Sequence, residues 1–123
     1  MPAEMQSYKA IRAVNVIINL NQRDRYVSQL KNFATTHKFT AYFSQTSPDP
    51  NDIAVHMVRS DVELSCLYGE PFSSGPNLRY EIFFSGYLGR PTSAATLDPL
   101  VDALKKLMNQ IDGAVVTERP LGR

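Results

Sequence analysis

Between Ile53 and Leu88 the chain alternates apolar and polar residues in two runs separated by a Gly/Pro/Ser stretch. No other part of the sequence restricts the fold so tightly. The first run reads Ile-Ala-Val-His-Met-Val-Arg-Ser-Asp-Val-Glu-Leu-Ser-Cys-Leu-Tyr. The second reads Arg-Tyr-Glu-Ile-Phe-Phe-Ser-Gly-Tyr-Leu. A period of two is the mark of a half-buried strand, and two such runs joined by turn residues predict an antiparallel ribbon. One irregularity interrupts it. Before Arg59 the larger apolar residues are odd-numbered (Ile53, Val55, Met57), and from Val62 they are even-numbered (Val62, Leu64, Cys66, Tyr68). Arg59-Ser60-Asp61 lacks the Gly or Asn that a tight hairpin prefers. The expectation is therefore one long strand over 53–68, with a bulge as the variant. A true turn would instead return Ile53, Val55 and Met57 to the core.

The flanking segments fit around this ribbon. Residues 12–20 alternate and predict a strand. From Gln22 to about His37, Tyr26, Val27, Leu30, Phe33 and Ala34 trace a helical stripe, with Asn21 as cap and Asp24 in the first turn. Phe39–Ser44 alternates again, and Gln45–Asp52 has loop chemistry. Asp98-Pro99 suits a helix start, with a start one turn earlier, near Ser93, as the alternative. Leu97, Leu100, Val101, Leu104, Leu107, Met108 and Ile111 then make a second stripe that Gly113 is placed to end. A short strand over 114–117 follows. The order β-α-β-β-β-α-β predicts an α+β fold: a two-layer sandwich of ferredoxin-like type, with both helices on one face of a mainly antiparallel sheet. At 123 residues a single domain over 1–123 is expected, with 1–10 as a flexible arm and 118–123 as a polar tail.

Charge narrows the function classes. Thirteen basic and twelve acidic residues leave a net +1, so there is no field of the kind that nucleic-acid or anionic-membrane binders use. The Lys/Arg-Gly-Phe/Tyr signature of RNA-recognition strands is missing as well, and RNA binding is disfavoured. No apolar run is long enough to span a bilayer or to serve as a signal core, and the lone Cys66 cannot make an internal disulfide; the expectation is a cytoplasmic protein.

The candidates for chemistry are few. His37 ends the first helix, where an imidazolium suits the dipole, and His56 sits among strand residues; neither has a metal-ligand partner at useful spacing. Cys66 falls in the apolar register and reads as an inert buried thiol. No cofactor or metal is expected, and the chain reads more as a binder than as an enzyme. What the helices leave uncovered is a mixed face holding Asn15, Ile17, Tyr42, Leu67 and the odd-numbered ribbon residues. Arg59, Asp61, Glu63, Arg79, Glu81, Phe83 and Tyr87 are the candidate partner-binding residues, because charges beside aromatics resemble interface composition. The plain alternative is cross-strand ion pairing on a solvated face. The resulting expectation is a non-catalytic module that binds and blocks or positions a protein partner, of the toxin-neutralising immunity or antitoxin kind. The competing one is a small ligand-binding protein or enzyme, a homodimer closing its sheets around a cavity with Asn15, Tyr42, His56 or Tyr87 as the polar handle.

Overall fold

The parity change at Arg59 is a turn. In a computed structural model that describes residues 12–45, 47–69 and 76–119, the expected long strand is two: β3 (Ile53–Val58) and β4 (Val62–Tyr68). They pair antiparallel with Val58 opposite Glu63, and the Arg59 N–H donates to the Val62 carbonyl at 3.1 Å. Val55 and Met57 return to the core as a consequence, and Ile53 packs against it. A carboxylate does the work expected of Gly or Asn: Asp61 accepts from Arg59 Nε at 2.6 Å and Nη2 at 3.2 Å, clamping the turn.

The full order is β1 (Arg12–Asn19), α1 (Arg23–His37), β2 (Thr40–Gln45), β3, β4, β5 (Asn77–Gly86), α2 (Ala94–Asn109) and β6 (Val115–Arg119). All six strands form one antiparallel sheet in the order β2-β3-β4-β5-β1-β6. The β1–α1–β2 crossover passes over three strands, and the β5–α2–β6 crossover passes over one. The result is an α+β fold with two helices against a six-stranded sheet, one strand more than the sequence pattern predicts. The arm expected over 1–10 lies outside the described residues, as do residues 70–75 of the second loop and 120–123 of the tail expected over 118–123.

The core lies between the helices and one sheet face. Val14, Val16 and Ile18 of β1, Leu64 and Cys66 of β4, and Tyr80, Ile82 and Phe84 of β5 are buried there under Leu30 and Phe33 of α1 and Leu97, Val101, Leu104 and Met108 of α2. The two helices are also joined by a polar bridge. Gln29 is buried, its Nε2 donates to the Leu107 carbonyl at 2.8 Å, and its Oε1 accepts from Asn32 Nδ2 at 3.0 Å. That bond gives a carbonyl in the last turn of α2 a second donor, beside the Gln110 N–H at 3.2 Å.

Several boundaries differ from the sequence reading. The α2 helix starts at the earlier site: Ser93 caps it, accepting the Thr96 N–H, and Pro99 is held inside the helix. Ahead of α1, Asn19 rather than Asn21 supplies the capping oxygen, to a short 3-10 turn over Leu20–Gln22. The β5 strand stops at Gly86, where the chain folds back so sharply that a Cβ would sit 1.8 Å from the Arg90 carbonyl oxygen. Leu88 is consequently turned out of the core, left-handed (φ 54°) and 68% exposed. The last strand runs on to Arg119, so Glu118 and Arg119 belong to the sheet rather than to a tail.

Candidate functional site

The sheet face opposite the helices carries no covering element among the described residues. Register fixes its layout. One row across the strands reads Tyr42, His56, Ser65, Phe83, Ala13, Arg119; the next reads Leu67, Glu81, Asn15, Thr117; a third reads Arg79, Ile17, Val115. Tyr42 (59% exposed), Val115 (53%), Leu67 (47%) and Ile17 (37%) stand out from this surface as apolar groups in water.

Two charged clusters lie among them. In the first, Arg119 reaches from β6 across β1, where the small Ala13 leaves room. Its Nε donates to Glu81 Oε2 at 2.5 Å, and its guanidinium carbon lies 5.7 Å from the Phe83 ring centre. Arg79 approaches the same Glu81 oxygen at 3.8 Å. Ala13 is fully buried in spite of facing away from the helices. Beside it, the Asn15 side-chain oxygen is buried with no hydrogen-bond partner.

The second cluster centres on Glu63. One oxygen meets His56 Nε2 at 2.8 Å and the other accepts the Leu88 N–H at 2.8 Å. Burial pushes the Glu63 carboxyl up, but the Leu88 N–H and the His56 ring outweigh it and hold the group below the usual carboxylate range. Glu63 thus ties β4 both to β3 and to the turn after β5.

The seven predicted partner-binding residues separate into two sets. Glu63, Arg79, Glu81 and Phe83 share the open face. Arg59 and Asp61 sit in the β3–β4 turn, not on the ribbon surface where their parity with Glu63 placed them. Arg59 is a brace: its Nη1 donates to the His37 carbonyl at 2.8 Å and its guanidinium carbon lies 4.9 Å from the Phe39 ring centre. Its hydrogen bonds lower the Asp61 carboxyl. Tyr87 lies in the turn after β5, its N–H donating to the Asp61 carbonyl at 3.3 Å and its ring 5.7 Å from the Arg90 guanidinium carbon.

Arg119 lies in the sheet, where the sequence predicts a tail over 118–123, and His56 pairs with Glu63 on the open face. The signal for Arg119 is the Val115-Thr117-Arg119 alternation, which continues past Thr117. His37 also differs from expectation. Burial, and then the neighbouring Arg59 charge, lower its pKa, so the ring favours the neutral form.

Cys66 is fully buried, and burial pushes its thiol up to about 12. Among the described residues no group of three or more His, Cys, Asp or Glu could hold a metal ion, and no helix is long and apolar enough to cross a membrane. Among the described residues one groove lies between α1 and β2 and another beside the start of α2, both away from the centre of the uncovered face. No protein-family model matches this chain, and no curated protein matches it in sequence.

Proposed function

We propose that this chain is a non-catalytic protein-binding module that engages its partner through the open face of the sheet. The observation that carries the reading is the set of exposed apolar side chains on that face, Tyr42, Leu67, Ile17 and Val115. An antiparallel sheet can turn a solvated face to water, so lack of cover alone decides nothing. Apolar groups interleaved with charges and aromatics are the composition of an interface centre and rim.

The charges favour a protein over a polyanion. Arg79 and Arg119 are drawn to Glu81, and His56 to Glu63, so the face carries no unopposed positive field for phosphates. A small-molecule site on this face is less well supported, because the grooves at α1–β2 and at the start of α2 lie elsewhere. A binder that blocks its partner, in the manner of a toxin-neutralising protein, is one form such a module takes. The ferredoxin-like assignment belongs to the same proposal. It is supported by β1 lying between β5 and β6, which α2 connects, a split β-α-β with the meander β2–β5 in place of a hairpin.

The test is a double variant, Ile17→Lys with Leu67→Lys, at two exposed positions. It should keep the native far-UV spectrum and melting temperature and lose the protein that co-purifies with the wild type from its native cell. A complex that survives both lysines would sink the reading, as would a wild type that recovers only further copies of itself.

A further inference from the structure

The two edges of the sheet are built differently. At one end β6 is guarded by charge: Glu118 is bonded to Arg12 and Lys105, and Arg119 to Glu81. At the other end β2 reads Thr-Ala-Tyr-Phe-Ser-Gln, with no charge, no proline and no glycine, paired with β3 at six successive positions without a bulge. Charges, prolines and bulges are the devices that keep an edge from accepting another strand, and β2 has none of them. Alternate residues of an antiparallel edge direct their N–H and C=O groups away from the sheet. Apart from the ladder to β3, no residue of β2 makes a backbone hydrogen bond with the described residues.

A second feature lies against that edge. An open-sided groove of about 600 Å³ runs between β2 and α1, with Val27, Phe43 and Ile53 as its apolar surface. Side chains of a strand added beside β2 would alternate, every second one entering this groove and the others flanking Tyr42 on the open face. Lys31 stands over the groove with its ammonium 5.5 Å from the Phe43 ring centre, and no carboxylate lies within ion-pair distance of it among the described residues. The one acid in the lining, Asp24, is taken by Arg23 at 3.0 Å.

We propose that β2 is a strand-addition site for an extended segment of a partner protein, one that places aliphatic side chains and a carboxylate in the α1–β2 groove. Main-chain hydrogen bonds to β2 supply the pairing, and the groove selects the alternate side chains. Charge decides between a foreign segment and a second copy. The β2 sequence contains no acidic residue, so a copy of β2 added at this edge offers Lys31 nothing. This site is on the edge and helix side of the sheet, and it stands independently of the open-face reading.

The probe is a capped heptapeptide, threonine at odd positions and valine, glutamate and valine at even ones, titrated into the full chain labelled for NMR. The amides of Thr40–Gln45 and the Val27 methyls should shift, and the β2 amides should gain protection from exchange. Methylating the peptide amides of one parity should abolish binding while methylating the other parity leaves it. Lys31→Glu, at an exposed position, should weaken this peptide about fivefold and strengthen its lysine counterpart. Equal binding of the two methylated forms overturns the proposal, as do shifts confined to the open face or to β6, or no shift at all. Protection of β2 that grows with protein concentration alone assigns the edge to a second copy and overturns it too.

Discussion

Replacing Tyr26 by phenylalanine should stabilise this protein. Tyr26 is fully buried in α1 and stacked on Tyr80, with ring centres 4.1 Å apart and planes inclined by 15°. Its hydroxyl oxygen is buried with no hydrogen-bond partner, and burial drives the phenol pKa well above its usual value. A hydroxyl left unpaired in a protein interior costs about 1–3 kcal/mol. Deleting it leaves a void the size of one oxygen, which at about 24 cal/mol per Å³ returns only a few tenths of a kcal/mol. The ring and its stack stay in place. The net expectation is a gain of about 1–2 kcal/mol, or a rise in melting temperature of roughly 3–8 °C for a domain of this size. Tyr80→Phe is the matched control. The Tyr80 hydroxyl donates to the Asn51 carbonyl at 2.7 Å, so the same deletion there should cost about 0.5–1.5 kcal/mol. Urea unfolding of both variants reads the difference, with midpoints moving in opposite directions at unchanged slope. A Tyr26→Phe midpoint below that of the wild type would refute the reasoning, since it would mean that the hydroxyl has a partner in solution.

Three further expectations test other parts of the fold. Glu118 is held down to about 2 from a usual 4.5, first by its bond to Arg12 and also by Lys105. A depressed carboxyl contributes stability that is present above 4.5 and lost as pH falls towards 2; Glu118→Gln should flatten that part of the pH–stability curve, and an unchanged acid slope would contradict it. Arg59→Ala removes the brace on the His37 carbonyl and should cost about 1–2 kcal/mol, while the His37 pKa, followed by NMR, rises part of the way back because burial persists. Met57→Ala should cost about 2–5 kcal/mol against less than about 0.5 for Tyr42→Ala; similar costs at the two positions would argue that β3 does not face the core.

How far the fold can be read from sequence depends on whether its determinants are local. The helical stripes and the alternation of β1, β4 and β5 are local signals, and the elements follow them. The β3–β4 turn was present only as a change of parity. What makes that turn possible is a side-chain clamp, Arg59 on Asp61, completed by the His37 carbonyl 22 residues away. A turn residue with backbone freedom announces itself in sequence, whereas a turn held by a distant carbonyl does not. The same holds for Arg119, whose place on the open face depends on the gap above Ala13, and for Leu88, expelled because the chain at Gly86 passes too close to Arg90.

That distinction also changes which residues are eligible to bind a partner. Of the charged candidates in the ribbon, Arg59 and Asp61 are engaged with each other and Arg59 also with the last carbonyl of α1, and Glu63 holds His56 and the Leu88 backbone. To recruit any of them, a partner must first replace an internal bond of the right geometry, and the exchange gains little. The exposed apolar side chains of Tyr42, Leu67, Ile17 and Val115, and the outward edge of β2, hold no such internal bonds among the described residues. Burying them returns water to bulk without breaking anything in the protein. On the proposed reading, binding energy would therefore be concentrated at the uncharged positions, with the charges around them setting register and excluding wrong partners. A scan of single substitutions across the open face should show that division: losses of affinity of about tenfold or more at the apolar positions, and small losses that depend on salt at Glu81 and Arg119.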